Sequence, residues 1–142
     1  MILIDANLLL YAYNDHAAEH AKARRWLEGV FSGSEPVLLP WLSIYAFIRI
    51  VTNSRALAHP ISTEKAVGIV GEWLALRHVS VPAPGERHWE ILRNLLVESQ
   101  CRGQLVTDAV LAALAIENGA TLCTNDRDFS RFRKLRTFNP IA

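Results

Sequence analysis

Five of the fourteen acidic residues are aspartates: Asp5, Asp15, Asp108, Asp126 and Asp128. Asp5 breaks the apolar run Ile2-Leu3-Ile4, and Asp126 follows the apolar run that begins at Thr121. Asp108 stands at the head of the apolar, alanine-rich stretch 109–116. Each taken alone has a plain structural role open to it, because Asp is a preferred helix N-cap and suits a helix N-terminus electrostatically. At Asp108 that role is weaker, since the preceding Thr107 supplies a capping hydroxyl. Taken together, three carboxylates on one cleft would repel, each pair by roughly 3 kcal/mol at ~5 Å and an effective dielectric of ~20. Such a group persists if one carboxyl protonates or if a cation neutralises it. Hard oxygen ligands of this kind suit Mg²⁺ or Mn²⁺. A cation held that way can activate water for attack on a phosphodiester.

Whether the three meet depends on the elements that carry them. Short apolar runs at 2–4, 37–39, 78–81 and 121–124 predict strands, with a fifth at 135–138. Helical spacing covers 7–13, 17–31, 42–53, 63–76, 86–101 and 107–118, the last stopped at Gly119. Thr63 reads as the cap of its helix, with Val67, Val70, Trp73 and Leu74 on one face. Strands so short and continuously apolar belong to a parallel sheet buried on both sides. Their alternation with helices predicts an α/β fold, a three-layer α/β/α sandwich around a mostly parallel sheet of four or five strands. Ligands in such folds bind beyond the carboxyl ends of the strands, so Asp5, Asp108 and Asp126 are expected on one sheet edge.

The 142 residues predict one domain spanning 1–142, and 51% hydrophobic content supplies a substantial core. Disordered and collagen-like chains are excluded. Fifteen Lys and Arg against the fourteen acids leave a net charge of +1, so no whole-molecule basic field exists, although a local patch is allowed. Arg127, Arg131, Arg133, Lys134 and Arg136 concentrate a third of the basic residues just beyond Asp126. They form either a solvated face or a set of phosphate contacts. The N-terminus lacks a basic segment before its apolar run, which excludes a signal peptide there. No apolar run is long enough to span a bilayer. Cys101 and Cys123 have no metal-ligand spacing and read as buried or free thiols. A cytoplasmic protein without membrane contact is expected.

These residues carry a family resemblance. The stretch Ile2-Leu3-Ile4-Asp5-Ala6-Asn7-Leu8-Leu9-Leu10-Tyr11-Ala12 resembles the opening motif of PIN-domain ribonucleases. Asp108 with Ala112, Ala113, Ala115 and Gly119 resembles their central motif, and Thr124-Asn125-Asp126-Arg127-Asp128-Phe129 their closing one. Order and spacing cover essentially the whole chain, and its length fits the VapC toxin branch of toxin–antitoxin pairs. The resemblance implies a Mg²⁺- or Mn²⁺-dependent endoribonuclease acting on RNA, a homodimer, and inhibition by a VapB-type antitoxin. It assigns Asp5, Asp108 and Asp126 to the metal and to catalysis. Asn7 and Thr124 match its supporting polar positions, and Asp128 is a further acid or a solvated helix-start residue. Arg49, Arg127 and Arg131 are the candidates for substrate phosphate; Arg49 has a surface salt bridge as its plainer role.

One position departs from the pattern. The family commonly carries Glu on the helix after the second strand, and here the matching residue is Ala46, with no acid between Glu35 and Glu64. That leaves a three-acid site, compensation by Asp128, or reduced activity. It also keeps open a second reading, a PIN-like binding module with weak or no catalysis, acting through antitoxin or RNA contact. A phosphatase-like reading with Asp5 as nucleophile lacks the second acid two positions on, where Asn7 stands. His16-Ala17-Ala18-Glu19-His20 matches the H-x-x-E-H pattern of inverted zinc peptidases, but it opens an exposed-looking basic helix in a much shorter chain. The four tryptophans, at 26, 41, 73 and 89, are assigned to core or dimer packing rather than base stacking.

Overall fold

Successive strand residues point to opposite faces of a sheet, and here both sets are apolar. In the computed structural model, which describes residues 1–142, β1 (Ile2–Ile4) sends Ile4 into one core and Leu3 into another. It is flanked by β2 (Val37–Leu38) and β4 (Thr121–Cys123), with β3 (Val79–Ser80) and β5 (Thr137–Phe138) at the edges. All pairings are parallel and the order is β3-β2-β1-β4-β5. The expected layered α/β architecture and its five strands are therefore present. The order reverses between β1 and β4, which is where a parallel sheet leaves a crevice at its carboxyl edge.

Four helices cover one face: α1 (Ala6–Tyr13), α2 (His20–Ser32), α3 (Trp41–Val51) and α4 (Thr63–Leu74). Their apolar stripes meet Ile4, Val37 and Cys123, and Phe47 sits at the centre, edge-on to Tyr13 and 4.8 Å from the ring of Trp73. The opposite face carries α5 (His88–Glu98), α6 (Gln104–Asn118), Phe129 from a 3-10 turn at Arg127–Arg131 and Phe132 just after that turn. Cys123 is buried in the first core, and burial pushes its thiol up to about 12, so it acts as an apolar packing group. Cys101 lies beyond the end of α5, and both cysteines are free. No helix is long and apolar enough to cross a membrane.

Several boundaries differ from those the sequence predicts. The N-cap of α4 is Ser62, whose hydroxyl accepts from the Lys65 amide at 3.1 Å, and Val67 points to solvent rather than to the core. The sequence predicts Thr63 as this cap, but Thr63 is already the first helical residue, so the role falls to Ser62, whose backbone is extended. Of the tryptophans, Trp26 and Trp73 pack into the core, whereas Trp41 and Trp89 are exposed. The difference that matters most is at α6, which begins at Gln104, not at Thr107. Gly103 turns the chain into the helix at φ +56, a conformation open to glycine and strained for L side chains. Thr107 is therefore no cap, and Asp108 lies more than a turn inside the helix, where no free amide needs it. At the other end Gly119 adopts φ +66 and closes α6 on the carbonyls of Ala115 and Ile116, as the sequence predicts.

Phe47 fills a fully buried space between α1, α3 and α4, so Phe47→Ala is expected to destabilise the protein by about 3–5 kcal/mol. Val67→Ala, on the exposed side of α4, is expected to change stability by no more than ~0.5 kcal/mol. Urea denaturation of both variants checks the assignment of the core, since the two residues lie on opposite sides of the helical layer.

Candidate functional site

The pairing of β1 with β4 places Ile4 opposite Cys123, and the Asp5 amide continues the ladder by donating to the Cys123 carbonyl at 3.1 Å. The next residues of the two strands, Asp5 and Thr124, are consequently neighbours. Both are buried, and the Thr124 hydroxyl donates to Asp5 Oδ2 at 2.7 Å. Asp5 occupies the N-cap position of α1 without a well-formed capping hydrogen bond, although the Ala6 and Asn7 amides lie close enough to its carboxylate to favour the charged form. Burial raises the Asp5 carboxyl above its ordinary value, the nearby Asp126 adds to this, and the Thr124 hydrogen bond only partly offsets it.

The same threonine organises the other strand end. Its oxygen accepts the Asp126 amide at 3.0 Å, and Asp126 Oδ1 accepts the Asp128 amide at 2.8 Å. Asp126 thus does cap the 3-10 turn while its side chain still lines the cleft. The cleft encloses about 550 Å³, walled by the start of α1, by α3 and by the first two turns of α6. Asp5, Asp108, Asp126 and Asp128 all line it, as does Asn7. Carboxylate oxygens of Asp108, Asp126 and Asp128 lie within 4.8 Å of one another; Asp5 lies outside that triad, on the cleft floor beside Asp126. Asp128, which the sequence left between a further acid and a solvated residue, therefore belongs with the acids.

The remaining predicted residues separate. Arg49 lines the cleft and takes part in none of the ion pairs of the molecule, so its plainer role as a surface salt bridge is not formed. Arg127 lies outside, in an adjoining groove with Ser130, Thr137 and Asn139. Arg131 also lies outside, beside Arg133 and Lys134 in a depression next to Glu98, and reaches back to Asp128 at 3.9 Å. The 3-10 turn bends the chain away after Asp128, which sequence adjacency does not reveal. Ala46 lines the cleft one turn beyond Ser43, whose buried hydroxyl donates to the Ile4 carbonyl and holds α3 against β1. Gln104 and Thr107 line it as well, and the sequence signal for them was Gly103.

The H-x-x-E-H pattern does not assemble. Residues 16–19 precede α2 rather than forming its first turn, and His20 Nδ1 donates to the Tyr11 carbonyl at 2.8 Å, away from His16.

Three acids facing one another leave an electrostatic signature on Asp108. Burial, then the charges of Asp126, Asp5 and Asp128, raise its carboxyl from the ordinary 3.8 to about 6, against a smaller opposing effect of Arg131. Because the folded protein holds this proton more tightly than the unfolded chain, the associated stability is complete below about pH 3.8. It is lost as the pH rises through about 6. In metal-free buffer Asp108→Asn is therefore expected to melt higher than the wild type at pH 7.5, by roughly 2–4 °C after allowance for solvent screening. The gap is expected to close toward pH 4; thermal melts across that range check it, and a variant that melts lower at pH 7.5 contradicts it.

Comparison with known proteins agrees with the architecture. The PIN domain model matches residues 2–135. Ribonuclease VapC37 of Mycobacterium tuberculosis is 38% identical over 142 residues, covering 100% of this chain and 99% of its own. Ribonuclease VapC43 of the same organism is 40% identical over 141 residues, covering 99% of this chain and 96% of its own. Among solved structures, a chain of the Rickettsia felis VapBC2 complex bound to a promoter DNA fragment superposes with a TM-score of 0.71 at 20% identity, covering 98% of both chains. Mycobacterium tuberculosis VapC20, a toxin that cleaves the sarcin–ricin loop, gives 0.68 at 20% identity over 96% of this chain and 99% of its own. At that identity the structural likeness is one of fold, while the curated relatives carry the kinship. The chain belongs to the PIN-domain family, among the VapC ribonucleases.

Proposed function

We propose that this protein is a Mg²⁺- or Mn²⁺-dependent endoribonuclease, the toxin of a type II toxin–antitoxin pair, that hydrolyses phosphodiesters of structured or loop-exposed RNA. The observation that carries this reading is the meeting of Asp5, Asp108, Asp126 and Asp128 in one cleft at the carboxyl edge of the sheet. The donor set fits the cation: every candidate ligand is a carboxylate oxygen, and no histidine or cysteine lines the cleft. Asp108 and Asp126, with Asp5 beside them, would hold the ion, and Asp128 adds a fourth carboxylate. When bound, the ion supplies charge neutralisation at the scissile phosphate and lowers the pKa of water.

The chain's own groups do the rest. Thr124 fixes the orientation of Asp5 and, through the Asp126 amide, the loop that carries Asp126 and Asp128. Such outer hydrogen bonds hold ligands in register. Arg49, unpaired on the α3 wall, offers a guanidinium to a phosphate entering the cleft, while Arg127 and Arg131 lie where neighbouring phosphates of a longer strand would pass. Kinship with named ribonucleases supports RNA as substrate. The likeness to VapBC assemblies supports a VapB-type antitoxin partner. Exposed Trp41, Leu42 and Tyr45 on α3 give apolar surface for a homodimer. The absence of a membrane-crossing helix is in keeping with action in the cytoplasm.

Asp5→Asn and Asp108→Asn are each expected to slow RNA cleavage in Mg²⁺ by at least about 100-fold, since even outer-sphere partners of metal ligands are worth 10–100-fold. Cleavage at wild-type rates by either variant overturns the assignment.

Ala46 supports the second reading, a binding module with weak or no catalysis, because it presents a methyl group to the cleft where relatives of this family commonly place an acid. Ala46→Glu adds a carboxylate to that wall. It is expected to tighten Mn²⁺ binding by about tenfold, as added ligand charge does, and to raise the cleavage rate if the site is catalytic. Calorimetric Mn²⁺ titration alongside an RNA cleavage assay separates the readings: metal binding without turnover in both proteins favours the binding module.

A further inference from the structure

The side chains of Asp15, His16 and His59 converge on the surface, and none of the three lines the acid cleft. His16 Nε2 lies 2.9 Å from His59 Nδ1, and Asp15 Oδ1 lies 3.8 Å from the first and 3.9 Å from the second. These are the same three donor atoms in each distance, so they form one triangle. The two imidazoles now share a proton in a hydrogen bond; a cation replacing it at the centre of the triangle would lie about 2.1 Å from every corner, the length of a zinc–imidazole bond. The geometry points to a second metal site, a His₂Asp set for Zn²⁺ or another imidazole-preferring divalent ion such as Ni²⁺ or Cu²⁺. Its chemistry differs from that of the cleft. Two imidazole nitrogens select borderline transition metals, whereas the all-carboxylate cleft selects hard ions. At that centre the ion lies in the plane of its ligands; small shifts of these exposed side chains that bring the three edges to about 3.4 Å give tetrahedral angles and leave the fourth position to water.

The loops that present the ligands are ordered by their own contacts. His16 donates its amide to Asn14 Oδ1 at 3.2 Å. His59 precedes Pro60, which restricts it to extended backbone, and its loop is pinned by buried Leu57 and by the Ile61 amide on the Val51 carbonyl at 3.0 Å. The two loops follow α1, whose first turns line the acid cleft, and α3, which lines it from Leu42 to Ile50. An ion bound there ties together the segments that follow those two helices, across 43 residues of sequence. It does not require the H-x-x-E-H pairing that the sequence suggests, because His16 takes its partner from the other loop.

The test is titration of the full chain with Zn²⁺ in excess Mg²⁺, followed by calorimetry and thermal melts. Wild type, Asp108→Asn, His16→Ala and His59→Ala are compared. One equivalent of Zn²⁺ is expected to bind wild type and Asp108→Asn alike and to raise both melting temperatures. His16→Ala and His59→Ala are expected to weaken that binding by more than about 100-fold and to abolish the rise. Both histidines are exposed, so their removal leaves the fold intact, which circular dichroism checks. Co²⁺ in place of Zn²⁺ is expected to give the intense visible bands of a tetrahedral site in wild type and not in His59→Ala. The proposal fails if wild type binds no Zn²⁺ at micromolar protein concentrations. It fails equally if either histidine variant binds as wild type does, or if Asp108→Asn alone abolishes binding and so places the ion in the acid cleft.

Discussion

The register between β1 and β4 is the constraint on which the rest of this molecule depends. Only three residue pairs define it, from Ile2 opposite Thr121 to Ile4 opposite Cys123. Those three pairs decide which side chains enter which core, because a slip of one residue would exchange the faces of Leu3 and Ile4. They also decide the chemistry at the strand ends. Asp5 and Thr124 come next in the two strands, and their 2.7 Å hydrogen bond exists because the ladder has already brought them level. A single hydroxyl then serves two acids, donating to the carboxylate of one and accepting the amide of the other.

Packing carboxylates at one edge works against folding, and the two cores on either side of the sheet must offset it. Asp108 shows the conflict directly: burial and three like charges hold its proton to a pH near 6. The net charge of +1 conceals this arrangement completely. Acids line the cleft, Arg49 is the basic residue that joins them there, and the C-terminal basic cluster sits on adjoining surfaces. A site that gathers negative charge with its counter-charges held outside is suited to accept a cation first and a polyanion afterwards.

The parts of this arrangement that follow a local rule were legible in the sequence. Asp5 and Asp126 sit where apolar strands end, and the parallel-sheet rule carries strand ends to one edge; hence the acids and the layered fold could be read together. Gly119 stopped α6 for the same kind of local reason. Asp108 reaches the cleft from more than a turn inside α6 and not from its start, because the conformational freedom of Gly103 begins the helix ahead of Thr107. What was illegible depends on direction in space. The 3-10 turn swings Arg127 and Arg131 out of the cleft, although both follow Asp126 closely in sequence. Likewise His16 finds His59 rather than His20, since the segment before α2 is not helical and periodicity has no bearing on it.

Ala46 and Asp128 are best understood together. Ser43 anchors α3 to the Ile4 carbonyl, so the next turn of that helix must form a cleft wall whatever residue it carries. With Ala46 there, that wall presents a methyl group flanked by Tyr45, Arg49 and Ile50. Asp128 restores the number of acids in the cleft to four, but it does so from the β4 side, within reach of Asp108 and Asp126. Negative charge is thereby shifted toward α6 and the 3-10 turn, leaving α3 as the wall with a free guanidinium. On the proposed reading the two sides have separate tasks: the acids hold the cation, and α3 receives the phosphate. An acid at position 46 would set a carboxylate one turn from Arg49, so the missing carboxylate on α3 and the unpaired state of Arg49 trace to the same residue.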